Sequence, residues 1–145
     1  WVADFTDREC SLADIERTIW ECDSALVVVD HADDLQAPWA DNPEATRHSL
    51  RAIYLGLKKM ATRFQTPVWT ASQTHESSWY MNHVGIEQLA EAKIGKASGS
   101  SIILGFSGGS HEVPGIMRCS IAKARRIISE RVVHVRYDYA TCRLW

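Results

Sequence analysis

Ala25–Asp30, ALVVVD, and Pro67–Gln73, PVWTASQ, decide how this chain folds. Each is a short apolar run that closes on polar residues: Asp30 in the first, Ser72 and Gln73 in the second. Continuous β-branched runs of this kind are the pattern of parallel strands buried on both faces. In open α/β sheets, ligands bind outside the carboxyl ends of such strands. The closing residues are therefore candidates for chemistry.

Between the two runs, from about Glu44 to Gln65, apolar residues fall at Leu50, Ile53, Tyr54, Leu57, Ala61 and Phe64. That i, i+3, i+4, i+7 stripe predicts a long amphipathic helix. Arg51, Lys58, Lys59 and Arg63 form its wet face. His31 to Pro43 is a loop whose acids, Asp33, Asp34 and Asp41, are expected to be solvated. Upstream, Val2–Phe5 reads as a short strand and Thr6–Cys10 as a polar turn. Ser11 with Asp14 resembles a capping box, and Leu12, Ile15 and Ile19 then keep helical spacing.

Downstream, Thr74–Gly85 is polar and aperiodic, with Trp79 and Tyr80 embedded in it. Ile86 to about Lys93 predicts a short helix, and Gly95–Ser101 a small, flexible stretch. Ser101–Phe106 is a strand, and Gly108-Gly109-Ser110 a turn signal. Ile116–Ala124 and Arg131–Tyr137 are two further strands, and Thr141–Leu144 a last edge strand. The order predicts an α/β fold: a parallel sheet flanked by helices and finished by antiparallel strands.

The chain has 145 residues, 46% of them hydrophobic, enough for the core of one domain. No apolar run approaches the ~18 residues that would cross a bilayer, and no signal-peptide pattern is present. A cytoplasmic protein without a membrane partner is expected. Residue 1 is Trp1, already within an apolar stretch, so the chain reads as a piece of a longer reading frame. Cys10, Cys22, Cys119 and Cys142 lack C-x-x-C or zinc-finger spacing and are expected to be reduced thiols.

The net charge of −2 is unevenly spread. Residues 1–44 hold twelve of the eighteen acids and two basic residues. Residues 118–136 carry Arg118, Lys123, Arg125, Arg126, Arg131 and Arg136 against Glu130. Such polarity suits a polyanion at one face. It equally suits a strand edge decorated with arginines for solubility.

An apolar strand ending in Asp has the form of a Walker B element. Mg²⁺ keeps several waters and takes one or two carboxylates, which Asp30 can supply. Many α/β proteins also end a strand in Asp without a metal role. Gln73 offers a donor and an acceptor, fit to touch a γ-phosphate or order a water, or simply to close a strand. Lys123 and Arg125 lie two apart on a strand and so point to one side. There they can stabilise a transferring phosphoryl group across a subunit boundary, or they can be an exposed basic edge. Trp79 and Tyr80 can stack on bases or pack at the foot of their loop. The histidines show no metal spacing.

LVVVDHADDL (Leu26–Leu35), LKKMATRFQTPVWTASQT (Leu57–Thr74), LAEAKIGKASGSSIILGF (Leu89–Phe106) and IAKARR (Ile121–Arg126) together resemble the RecA-like P-loop NTPase domain of DnaB-type hexameric replicative helicases, the phage-like members above all. The resemblance implies an ATP- and Mg²⁺-dependent motor on single-stranded DNA. It also implies a homo-hexameric ring and the cytoplasm of a bacterial or phage-infected cell. It makes Asp30 the Walker B aspartate, Gln73 the sensor, and Lys123 and Arg125 the trans-acting finger. Thr74–Gly85 and Glu91–Lys96 match the two DNA loops, with Glu91, Lys93, Gly95 and Lys96 as phosphate-contact candidates.

The family's G-x-x-x-x-G-K-[ST] is absent, as is its upstream catalytic glutamate. The nearest decoy, Gly95-Lys96-Ala97-Ser98, has Ala90 in place of the first Gly and follows a helix, so it is rejected. The basic loop after Arg125 lacks the usual Gly. On these grounds residues 1–145 are expected to be one partial RecA-like domain, unable to hydrolyse ATP alone. Two further readings stand beside it: a non-catalytic DNA-binding or assembly module, and a fragment of a RecA-like recombinase.

Overall fold

Ser11 opens the first helix, α1 (Leu12–Cys22), by the expected capping box. Its hydroxyl accepts from the Asp14 N–H at 3.3 Å, and the Asp14 carboxylate accepts from the Ser11 N–H at 3.1 Å. Two otherwise unpaired donors are thereby satisfied. The computed structural model describes residues 2–5, 9–36, 43–78, 81–90, 92–107, 115–125, 131–138 and 140–145. Contacts divide the chain into two compact units, one of residues 1–72 and 94–100, the other of 73–93 and 101–145.

In the first unit, β1 (Val27–Val29), α2 (Pro43–Arg63) and β2 (Val68–Thr70) form a βαβ unit. The strands pair in parallel, Val27 with Val68, Val28 with Trp69 and Val29 with Thr70. The helical stripe is confirmed at Leu50, Ile53, Tyr54 and Leu57, which are buried together with Met60, while Ala61 and Phe64 are half-buried. α2 contacts α1, β2 and the 3₁₀ turn at Ala32–Asp34. α3 (Lys93–Gly99) lies against α2. A Cβ at Gly95 would stand 2.7 Å from Arg51 Cβ, and one at Gly99 2.5 Å from Tyr54 Cβ. Gly95 and Gly99, one helical turn apart, let the two helices approach.

Three expectations for this unit change. Gly95–Ser101 is not a flexible stretch, because its small residues are the contact face of α3. Val2–Phe5 forms no strand, and Val2 is 96% exposed. The parallel pair is not buried on both faces: the partners Val28 and Trp69 are 69% and 62% exposed. A single βαβ crossover supplies one helix, and that helix covers one face.

In the second unit, β3 (Ile102–Ser107), β4 (Ile116–Ala124), β5 (Val132–Asp138) and β6 (Arg143–Leu144) form an antiparallel sheet in that order. The strand Ser101–Phe106, expected to extend the parallel sheet, instead starts this one. A short connection to β4 makes the two a hairpin, which closes antiparallel. The strands expected at the end of the chain are all present. Ile102, Leu104 and Phe106 alternate outward on β3, while Gly105 and Ser107 are buried.

Gly105 faces the Val84 carbonyl so closely that a Cβ there would stand 2.2 Å from the oxygen. Ser120 Oγ donates to the same carbonyl at 3.0 Å. Residues 73–90 close into a loop through an antiparallel bridge between Thr74 and Leu89. The helix expected from Ile86 to Lys93 is a single 3₁₀ turn, Ile86–Gln88. It stops there because Leu89 turns inward to the bridge and is buried. The Gly108-Gly109-Ser110 turn lies outside the described residues. The four cysteines form no disulfide among the described residues.

Candidate functional site at the strand carboxyl ends

β1 ends one residue before Asp30, whose side chain is exposed at the carboxyl end of the parallel pair. The backbone around it is fixed by β2. Thr70 Oγ1 donates to the Val29 carbonyl at 2.8 Å and accepts from the Ala32 N–H at 2.9 Å. One hydroxyl thus brackets Asp30 on both sides. His31 Nδ1 lies 2.9 Å from Asp34 Oδ2 across the following turn.

The next residues hold a polar cluster. Asp33 Oδ2 accepts from Lys96 Nζ at 2.8 Å and from Ser72 Oγ at 2.9 Å. Asp33 Oδ1 accepts from the Tyr54 hydroxyl at 2.9 Å. Lys96 also donates to Ser72 Oγ at 2.9 Å. Lys96 is 2% exposed. Burial, and then the adjacent Asp33 charge, hold the Tyr54 hydroxyl well above the usual phenol range. The raised value favours Tyr54 as a protonated donor to Asp33.

Two expectations are corrected here. Asp33 is not a solvated loop acid, because the 3₁₀ turn swings it onto Ser72 and Lys96. Lys96 is not presented as a phosphate contact, because its ammonium is buried in an ion pair. A Ser–Lys pair at 2.9 Å could suggest a nucleophile with its base. Lys96 serves as donor to both Asp33 and Ser72, so it is not placed to take the Ser72 proton.

The other candidates are placed as follows. Gln73 is exposed, and its carbonyl accepts from the Ala90 N–H at 3.1 Å where the 73–90 loop closes. Lys93 is exposed at the start of α3, and Gly95 is buried against Arg51. Lys123 is half-buried on β4 opposite Ile103, and Arg125 is exposed just beyond the strand. Glu91, Trp79, Tyr80 and Arg126 lie outside the described residues. Asp30 belongs to the first unit, and Gln73, Lys93, Lys123 and Arg125 to the second. Among the described residues no cluster of three or more His, Cys, Asp or Glu could hold a metal, and no helix is long and apolar enough to cross a membrane.

No protein-family model and no curated protein matches this sequence. The fold does have a counterpart among solved structures. A DnaB-like replicative helicase, studied in its interactions with primase, superposes with a TM-score of 0.77 at 19% identity over 90% of this chain. The fold is DnaB-like. At that identity the likeness speaks for the fold alone. The chain spans 34% of the helicase chain, so the DnaB-like core present here is partial.

The residues sequence reasoning missed are Asp33 and Tyr54, together with the inward role of Lys96. The available signal was position. Asp33 lies three residues beyond a strand-ending Asp, and Lys96 sits between two glycines one turn apart.

Proposed function

We infer that this chain is part of the ATP-driven motor domain of a replicative DNA helicase. One observation carries the reading: a DnaB-like fold over 90% of the chain that leaves Asp30 exposed at the carboxyl end of a parallel strand. In this reading Asp30 holds Mg²⁺ through water, and Gln73 senses the γ-phosphate. Lys123 and Arg125 reach the nucleotide of the neighbouring subunit in a homo-hexamer. Thr74–Gly85, together with Glu91 and Lys93 of the second loop, meets single-stranded DNA in the ring.

A single carboxylate is a sufficient protein ligand for a Mg²⁺ ion otherwise held by phosphates and water. Nothing in this sequence cradles those phosphates, so a P-loop must come from elsewhere in the protein. The test is made in the complete protein that carries this chain. Arg125→Ala should abolish hydrolysis while sparing nucleotide binding, and Asp30→Asn should abolish Mg²⁺-dependent hydrolysis. Retained turnover in both variants overturns the reading.

The exposed basic side chains Lys93, Arg125, Arg131 and Arg136 favour a second reading, a non-catalytic DNA-binding or assembly module. Single-strand binding that weakens steeply with salt and ignores ATP would select it. An unwinding assay separates the helicase from a recombinase.

A further inference from the structure

Lys96 poses a physical question. Burying an ammonium is costly even when it is paired, and a well-packed apolar side chain in its place is often as stable or more so. Packing α3 onto α2 is already achieved by Gly95 and Gly99. What an apolar residue cannot do is make directional bonds. Lys96 makes them to Asp33 at 2.8 Å and to Ser72 at 2.9 Å, and Ser72 closes the triangle by donating to Asp33 at 2.9 Å.

The three corners come from separate elements: the turn after β1, the end of β2, and α3. Asp33 is three residues beyond Asp30, and Ser72 immediately precedes Gln73. Tyr54 fixes the other Asp33 oxygen from α2 at 2.9 Å. Both strand exits are therefore tied to one buried cation. Reacting groups work only when their supports hold them to a fraction of an ångström.

We propose that Lys96 is a positioning residue, whose triangle with Asp33 and Ser72 sets the geometry of Asp30 at the end of β1 for nucleotide hydrolysis. The proposal rests on the helicase reading above. It assigns Lys96 to the support of the nucleotide site rather than to DNA.

The experiment compares Lys96→Met, Asp33→Asn, the double variant D33N/K96M and Ser72→Ala in the complete protein. Melting temperature, kcat and KM for ATP are measured, with wild type and Asp30→Asn as controls. Lys96→Met leaves an uncompensated carboxylate and should lower both the melting temperature and kcat. The double variant removes both charges of the Asp33–Lys96 pair and should recover melting temperature relative to Lys96→Met. Its kcat should stay down about 10- to 100-fold, the scale of a misplaced reacting group, with KM within about twofold of wild type. Ser72→Ala, which removes one hydrogen bond to each charge, should lower the melting temperature less than Lys96→Met does, and should lower kcat as the double variant does.

If D33N/K96M recovers turnover together with stability, the triangle is structural and the proposal is overturned. Should the charged-site variants fail to fold, Ser72→Ala decides, and full turnover there overturns it. A silent wild type, or an Asp30→Asn protein as active as wild type, overturns the helicase reading and this proposal with it. That failure is distinguishable because it shows in the controls.

Discussion

α3 in the first unit and β3 in the second face the same problem, bringing a segment close to a neighbour without leaving polar groups unpaired, and they solve it in opposite ways. α3 carries a buried lysine whose ammonium is matched by Asp33 and Ser72. β3 has no side chain at all at Gly105, and the Val84 carbonyl in that gap is taken by Ser120. The first solution rests on charge, the second on shape. Charge is unforgiving, because removing one partner leaves the other buried and uncompensated. Shape is graded, because a backbone or side chain can shift by a few tenths of an ångström to relieve a clash.

Lys96→Met should therefore be the most damaging single change, costing about 3–5 kcal/mol. Urea unfolding followed at amides of α3 and β1 measures it, and a loss below about 1 kcal/mol would put charge and shape on the same footing. Gly105→Ala follows, at about 2 kcal/mol, because the new methyl meets the Val84 oxygen. The same titration read at amides of β3 and β4 checks it, and an unchanged midpoint would mean that the strand simply moves aside.

Tyr54→Phe should cost about 1.5 kcal/mol by removing a hydrogen bond to a carboxylate. Its pH dependence sharpens the case. The folded-state hydroxyl titrates above its unfolded value, so the unfolded chain loses that proton first as pH rises. The stability owed to Tyr54 is thus complete below about pH 10 and declines above it. Unfolding curves from pH 8 to 11 should show a shallower alkaline decline in Tyr54→Phe than in wild type, and parallel curves would contradict the buried donor. Ser11→Ala, which opens the α1 capping box, should cost about 1 kcal/mol. It is the local control, since it touches neither the charge cluster nor the glycine contact.

Much of the chain was legible because its signals are local. Ser11 and Asp14 are three residues apart, and the α2 stripe runs through consecutive turns. The strand-ending Asp30 was legible for the same reason. Asp33 and Lys96 are 63 residues apart, and neither position announces its partner. Asp33 lies in a run of acids that reads as solvated, and Lys96 in a run of small residues that reads as loose. The glycines at 95 and 99 signal flexibility only until a partner helix is brought against them. Ser101–Phe106 was correctly read as a strand, but its sheet was not, since direction depends on which neighbour it bonds.

By itself, the sequence determined the α/β class, α1 with its cap, α2 with its stripe, the strands from β1 onward, and the place of Asp30 at a strand's end. Those follow from periodicity and local hydrogen bonding, which act within a few residues. Tertiary structure decided that the parallel pair keeps one apolar face bare. It also decided that β3 joins an antiparallel sheet, and that Lys96 turns inward to Asp33 and Ser72. Each of these depends on which distant segment fills a space or supplies a counter-charge, and only the folded chain brings those segments together.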